Sequence, residues 1–210
     1  MSATVFAICN QKGGTGKTTL TMNFAAGLAK LGRTLVIDAD PQGSAGQWAS
    51  LAPDDKPFPV SVISVAGSLL REINHFKQDY QFIVIDCPPT LETEITHQAM
   101  MVAEIVLIPT LPSPIDLWAS VRLASTIEQI KMTKPQFRAY LVINQLEPRS
   151  AISRGMQQAL SEFDIPALDN HLRRRAIYRN SALEGASVFC MGKRAESAAE
   201  EVRAIIEEVL

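Results

Sequence analysis

The sequence is short of the residues that mark several specialised classes of protein. It has three cysteines, Cys9, Cys87 and Cys190, widely spaced and with no CxxC pair. An odd number without close spacing excludes a disulfide framework and a thiolate zinc site, and it suits a reducing, cytoplasmic setting. The three histidines, His75, His97 and His171, show no ligand spacing. Aromatic residues make up only 6%, and Trp48 and Trp118 read most simply as packing residues. No apolar run approaches the ~18 residues of a membrane-spanning helix, and the N-terminal segment lacks the basic start of a signal peptide. Charge is nearly balanced, 20 basic against 22 acidic side chains for a net −2. A generally basic nucleic-acid binder is therefore excluded, and any DNA contact must come from a local patch.

What is present is an ordinary globular composition. The chain has 210 residues, 47% hydrophobic and 20% charged, which rules out disorder as the main state. A chain of this length buries roughly 70% of its unfolded surface. No stretch reads as a linker or a repeat, so residues 1–210 are expected to form one domain.

Short apolar runs alternate with helical periods. Strands are expected at Val5–Ile8, Thr34–Ile37, Phe82–Ile85, Ile105–Ile108 and Ala139–Ile143, with an edge strand over Val60–Val65 and a short run at Ile165–Leu168. Between them, helices are expected after residue 17 (Leu20, Phe24, Leu28 and Leu31 on one face, capped by Gly32) and near 67–77, 92–102, 115–132 and 152–163. Leu117, Val121 and Ala124 should share the inner face of the fourth. A final helix carries Ala198, Val202, Ile205 and Val209 on one stripe. Continuous apolar strands alternating with helices predict an α/β fold: a mainly parallel β-sheet flanked by helices on both faces.

One segment carries chemistry. Asn10-Gln11-Lys12-Gly13-Gly14-Thr15-Gly16-Lys17-Thr18-Thr19 joins the first strand to the first helix. A glycine-rich turn at a helix N-terminus aims several backbone N–H groups and the positive end of the helix dipole at one point. Glycine is needed where a Cβ would keep the backbone away from phosphate. Lys17 would reach the β- and γ-phosphates, and the Thr18 hydroxyl would bind Mg²⁺. The usual pattern, GxxxxGK(S/T), is incomplete: its first glycine position is Gln11, and a second lysine, Lys12, precedes the glycines.

With this signature the chain resembles the ParA/MinD family of deviant Walker A ATPases, and most nearly the small ParA partition ATPases that lack an N-terminal helix-turn-helix domain. The resemblance implies a P-loop NTPase fold of the deviant Walker A type, with ATP and Mg²⁺ as cofactors. It places Lys12 at the signature lysine, which in such proteins reaches across an ATP-sandwich dimer to the partner's phosphates. Lys12, Gly13, Gly14, Thr15, Gly16, Lys17, Thr18 and Thr19 are then the nucleotide-binding residues.

Further segments fit. Asp38-Ala39-Asp40-Pro41-Gln42 ends the second strand with two carboxylates, where ligands of open parallel sheets bind. It resembles the family's switch I, in which the second aspartate, Asp40 here, orients the attacking water near Mg²⁺. Phe82–Ile85 followed by Asp86 has the form of a Walker B strand, with Asp86 facing Mg²⁺ directly or through water. The Pro-rich stretch from Pro109 to Asp116 resembles a loop common in small ParA proteins. Asn144, ending an apolar strand, is a candidate for reading the adenine edge, or equally a turn residue.

Basic residues gather late: Arg149, Arg154, Arg173, Arg174, Arg175, Arg179, Lys193 and Arg194, against Glu162, Asp164, Asp169 and Glu184. Such a surface would bind DNA backbone without sequence preference and with strong salt dependence. Arg173, Arg174, Arg175 and Arg179 are the candidate DNA contacts.

The functional expectation is an ATPase that forms a homodimer on binding ATP, associates with nucleoid DNA, and is triggered by a centromere-binding or adaptor protein. Segregation of plasmid or chromosomal DNA is the main reading. Positioning of a protein cargo, a carboxysome or chemotaxis cluster, is the alternative. A MinD-like membrane switch fits poorly, because the last sixteen residues hold five glutamates and one arginine where an anionic membrane requires a basic helix. A cluster-bridging relative such as the nitrogenase iron protein would need a matching cysteine pair that is not present in the sequence.

Overall fold

A computed structural model describes residues 3–65, 68–90, 94–147 and 164–210, apart from the side chains of residues 114 and 117–122. Six strands form one parallel sheet: β1 (Thr4–Ile8), β2 (Thr34–Asp38), β3 (Ser61–Ser64), β4 (Phe82–Asp86), β5 (Ile105–Thr110) and β6 (Arg138–Ile143). Their order across the sheet is β3-β2-β4-β1-β5-β6. The run at Ile165–Leu168 adds one parallel bridge, Ala167 to Leu141, beyond β6. Seven α-helices occur among the described residues: α1 (Lys17–Leu28), α2 (Ser44–Ser50), α3 (Leu69–Phe76), α4 (Glu94–Val102), α5 (Pro114–Thr133), α6 (Ala176–Leu183) and α7 (Glu196–Val209).

Strand side chains alternate between two cores. Val5, Ala7 and Cys9 pack with Leu69, Ile73, Met100, Leu123 and Ile127, under α3, α4 and α5. Phe6 and Ile8 pack with Leu20, Phe24, Val202 and Ile205, under α1 and α7. Both sheet faces are thus covered, which is why β1, β2 and β4 read as unbroken apolar runs. α1 is buried almost all round, between the sheet and α7. α7 is amphipathic, with Ala198, Val202, Ile205 and Val209 inward as the spacing required.

Some local expectations change. α1 ends at Leu28, not at Leu31: Lys30 N–H bonds to Gly27 O and Leu31 N–H to Leu28 O. These i→i−3 bonds tighten the end of the helix and leave Leu31 exposed. Gly32 is therefore no left-handed cap; a Cβ there would strike the Gln81 side chain. In α5 the buried stripe includes Leu123, Ile127 and Ile130, with Ala124 only partly buried. The expectations for Leu117, Val121 and Trp118 side chains, and for the helix near 152–163, lie outside the described residues. Helices α2 and α6 were not expected, being short and weakly apolar.

The register sets up the site. Ile8, Asp86 and Asp38 stand level across β1, β4 and β2. The segments that leave the C-terminal ends of these three strands converge there, in the crevice where parallel sheets hold ligands.

Candidate nucleotide site

The turn after β1 wraps the N-terminus of α1. Gly14 and Gly16 adopt left-handed backbone (φ 77° and 89°), which glycine takes without steric cost. Gly16 is the N-cap residue of α1, with no side-chain cap, so backbone donors of the first turn are left for a ligand. A Cβ built on Gly13 or Gly14 would meet nothing within 4 Å, so these glycines border open space.

Asn144, buried at the end of β6, secures the turn from below. Its Nδ2 donates to Thr15 O at 2.7 Å, and its Oδ1 accepts Gln145 N–H at 2.9 Å. The carboxamide is thereby engaged with protein backbone, which favours the turn role over adenine reading. Asn10 Oδ1 accepts Lys12 N–H at 3.1 Å while its Nδ2 donates to Pro109 O at 2.8 Å. Thr15 is buried within the turn. Thr19 lies on the wall of the crevice.

Lys17 folds under the turn and donates from Nζ to Lys12 O at 3.1 Å. Burial lowers its pKa, against the pull of Asp86 and then Asp40. The Thr18 hydroxyl donates to one Asp86 oxygen at 2.7 Å and the Thr21 hydroxyl to the other at 3.0 Å. Asp86 is wholly buried, and burial pushes its pKa up to about 7 despite those two hydrogen bonds. Thr21 was not anticipated, although it sits three residues beyond Thr18 and hence on the same helix face.

The two switch aspartates divide their roles. Asp38 is buried and accepts Gly46 N–H at 2.9 Å and Asp40 N–H at 3.2 Å, fastening the start of α2. Burial raises its pKa and these backbone bonds oppose the rise. Asp40 is half-buried and lines the crevice, its Oδ1 accepting Gln42 N–H at 2.9 Å. The crevice measures about 610 Å³ and is walled by the glycine turn, Lys17, Thr18, Asp40, Trp48 and Leu183. Trp48 is more than packing: it lines the crevice while its Nε1 donates to Ala186 O at 3.0 Å, tying α2 to the segment after α6.

Lys12 has a partner that the sequence did not reveal. Its Nζ lies 2.7 Å from the Asp116 carboxylate, at the start of α5. Cys9 and Cys87 lie side by side below the site, Sγ to Sγ 3.0 Å, both free and buried. Burial pushes the Cys87 thiol up, consistent with packing beneath the second switch.

The arginines lie on the flank of this site. Arg173, Arg174, Arg175 and Arg179 line a cavity of about 90 Å³ together with Gly16 and Asn144. The surplus of charge read along the sequence shrinks in space. Glu201 accepts from Arg175 at 2.7 Å and stands 3.8 Å from Arg173, and Glu147 pairs with Arg174 at 2.7 Å. Both glutamates lie outside the stretch 149–194 and reach it only through folding. Arg194 pairs with Glu184. Arg179 and Lys193 have no carboxylate at ion-pair distance among the described residues. Arg149 and Arg154 lie outside those residues.

An open glycine cradle, a lysine at its base and an all-oxygen set (Thr18, Asp40, Asp86) suit a polyphosphate with a hard divalent cation. Fold and site together define a P-loop nucleotide-binding protein. Residues 6–188 match the CobQ/CobB/MinD/ParA nucleotide binding domain, and the chain belongs to that family. It is 43% identical to maintenance of carboxysome distribution protein A of Halothiobacillus neapolitanus, over 99% of this chain and 97% of that protein. The protein of the same name from Gloeobacter kilaueensis is 34% identical, over 98% and 93%. Proteins named for chromosome partitioning match at lower identity over shorter stretches. Among solved structures, cobyrinic acid a,c-diamide synthase from Mycobacterium smegmatis with bound ATP analog and magnesium superposes with a TM-score of 0.76 at 20% identity, covering 98% of this chain and 94% of that one. Among the described residues no helix is long and apolar enough to cross a membrane.

Proposed function

We propose that the protein is a ParA-like, Mg²⁺-dependent ATPase that distributes carboxysomes over the nucleoid. The observation that carries this reading is the 43% identity, over nearly the full length of both chains, to a carboxysome distribution protein. It favours a protein cargo over segregation of plasmid or chromosomal DNA, and with it an adaptor on the carboxysome over a centromere-binding partner.

The site supports the chemistry. Lys12, Gly13, Gly14, Thr15, Gly16, Lys17, Thr18 and Thr19 surround the triphosphate, and Asn144 holds their turn in shape. Thr18, Asp40 and Asp86 are the oxygen ligands for Mg²⁺, whose role when bound is to offset phosphate charge. Lys17 exchanges the Lys12 carbonyl for phosphate oxygens. Asp40, at the edge of the crevice, orients the attacking water. Lys12 acts on the nucleotide of a second protomer, so hydrolysis is coupled to an ATP-bound homodimer. Two protomers side by side double the phosphates that Arg173, Arg174, Arg175 and Arg179 neutralise, and DNA affinity climbs steeply with that number. Arg179 is the leading contact, because Arg174 and Arg175 already have carboxylate partners.

Calorimetry and cell imaging test this reading together. Lys17→Ala should abolish ATP binding. Asp40→Ala should bind ATP, turn it over poorly and accumulate as a dimer. Cells lacking the gene should lose even carboxysome spacing with no rise in plasmid loss, and neither variant should restore it. Plasmid loss with normal carboxysome spacing would reinstate the partition reading.

A further inference from the structure

Lys12 is anchored at its backbone and held at its tip by a different element. Its N–H bonds to Asn10 Oδ1 and its carbonyl accepts Lys17 Nζ, so the main chain belongs to the glycine turn. Its side chain crosses to Asp116 in the first turn of α5, 2.7 Å away. The two ends of this pair are unlike. The Asp116 side chain is 4% exposed, whereas that of Lys12 is 43% exposed. Asp116 is also fixed by its own backbone, its N–H bonding to Ser113 O at the start of a helix that Pro114 preorganises. The carboxylate is therefore the stationary half and the ammonium the half that is free to leave. Its neighbour Ile115 is 65% exposed, so this edge of the molecule is open to a second copy.

We propose that Asp116 is a positioning residue that holds Lys12 within its own protomer and so sets the threshold for the ATP-bound dimer. This rests on the reading that Lys12 acts on the partner's nucleotide. Any Lys12 that crosses takes the cation away from a buried carboxylate, and breaking a buried pair costs much more than breaking an exposed one. The phosphates on the far side must outbid Asp116. A triphosphate, with its extra charge, does so better than a diphosphate, so the pair sharpens discrimination between ATP and ADP before any bond is cleaved.

Two pairs break for each dimer, so the effect of one enters squared. If losing the charge on Asp116 relieves about tenfold per pair, the dimer dissociation constant of Asp116→Asn falls about a hundredfold. Sedimentation velocity with Mg²⁺ and a non-hydrolysable ATP analogue measures it, for wild type, Asp116→Asn, Lys12→Gln and the double variant. Asp116→Asn should tighten the dimer and make an ADP-bound dimer detectable. In the Lys12→Gln background the same substitution should change the constant by less than about threefold, because no lysine is left to compete for. A merely structural disturbance of α5 would act in both backgrounds. Asp116→Glu, which keeps the charge, should stay close to wild type, and Asp116→Ser replaces the asparagine variant if that fails to fold. No wild-type dimer would sink the trans-lysine reading and this inference with it. A wild-type dimer left unchanged by Asp116→Asn, or an equal shift in both backgrounds, would sink the inference alone.

Discussion

Asp86 makes the free protein carry a proton at a pH where an ordinary aspartate has none, and this has a measurable effect on stability. The carboxyl is wholly buried, and burial raises its pKa from 3.8 to about 7 against the hydrogen bonds from Thr18 and Thr21. Between those values the folded chain binds a proton that the unfolded chain has released, so stability falls as pH rises. The stabilisation is complete below the unfolded pKa and gone above the folded one. Integrated from pH 5.5 to 8, the loss is about 2 kcal/mol. Asp86→Asn removes the titration while preserving volume, and the two threonine hydroxyls can rotate to serve an amide. Urea unfolding of both proteins across that range provides the assay. The stability of the variant relative to wild type should climb by about 2 kcal/mol from pH 5.5 to 8 and then level off. A difference that stays flat would refute the assignment of the buried proton to Asp86.

Two further expectations concern groups around the site. Asn144→Ala leaves the Thr15 carbonyl without its buried donor, and should cost about 1–3 kcal/mol in urea unfolding together with weaker nucleotide binding; weaker binding at unchanged stability would instead point to direct adenine reading. Gly185 has φ 59°, and a Cβ there would stand 2.1 Å from Ala52 N at the end of α2. Gly185→Ala should therefore destabilise the chain by about 2 kcal/mol or more, since backbone has to move; an unchanged melting temperature would contradict that packing.

The sheet and the phosphate turn were legible in the sequence because their signals are local. Strands buried on both faces must be apolar throughout, so Val5–Ile8 and Phe82–Ile85 announce themselves. Gly13 to Thr19 likewise need no distant residue to be recognised, since the chemistry lies in the backbone of one turn. The amphipathic spacing of Ala198, Val202, Ile205 and Val209 was enough for α7. Helices α2 and α6 escaped because a helix of seven or eight residues with two buried side chains has almost no periodicity. Charge was the least legible property. A window along the chain finds an arginine surplus, yet Glu147 and Glu201 arrive from outside that window and pair with three of those arginines. Sequence by itself thus determined which residues make the phosphate turn, and that a parallel sheet carries it. Only the tertiary structure decided which side chains are already engaged: Asn144 on Thr15, Thr21 on Asp86, and Lys12 on Asp116, about a hundred residues further on. Ion pairs and hydrogen bonds act over a few ångströms between groups whose separation along the chain carries no pattern, so they exist only once the fold has brought them together.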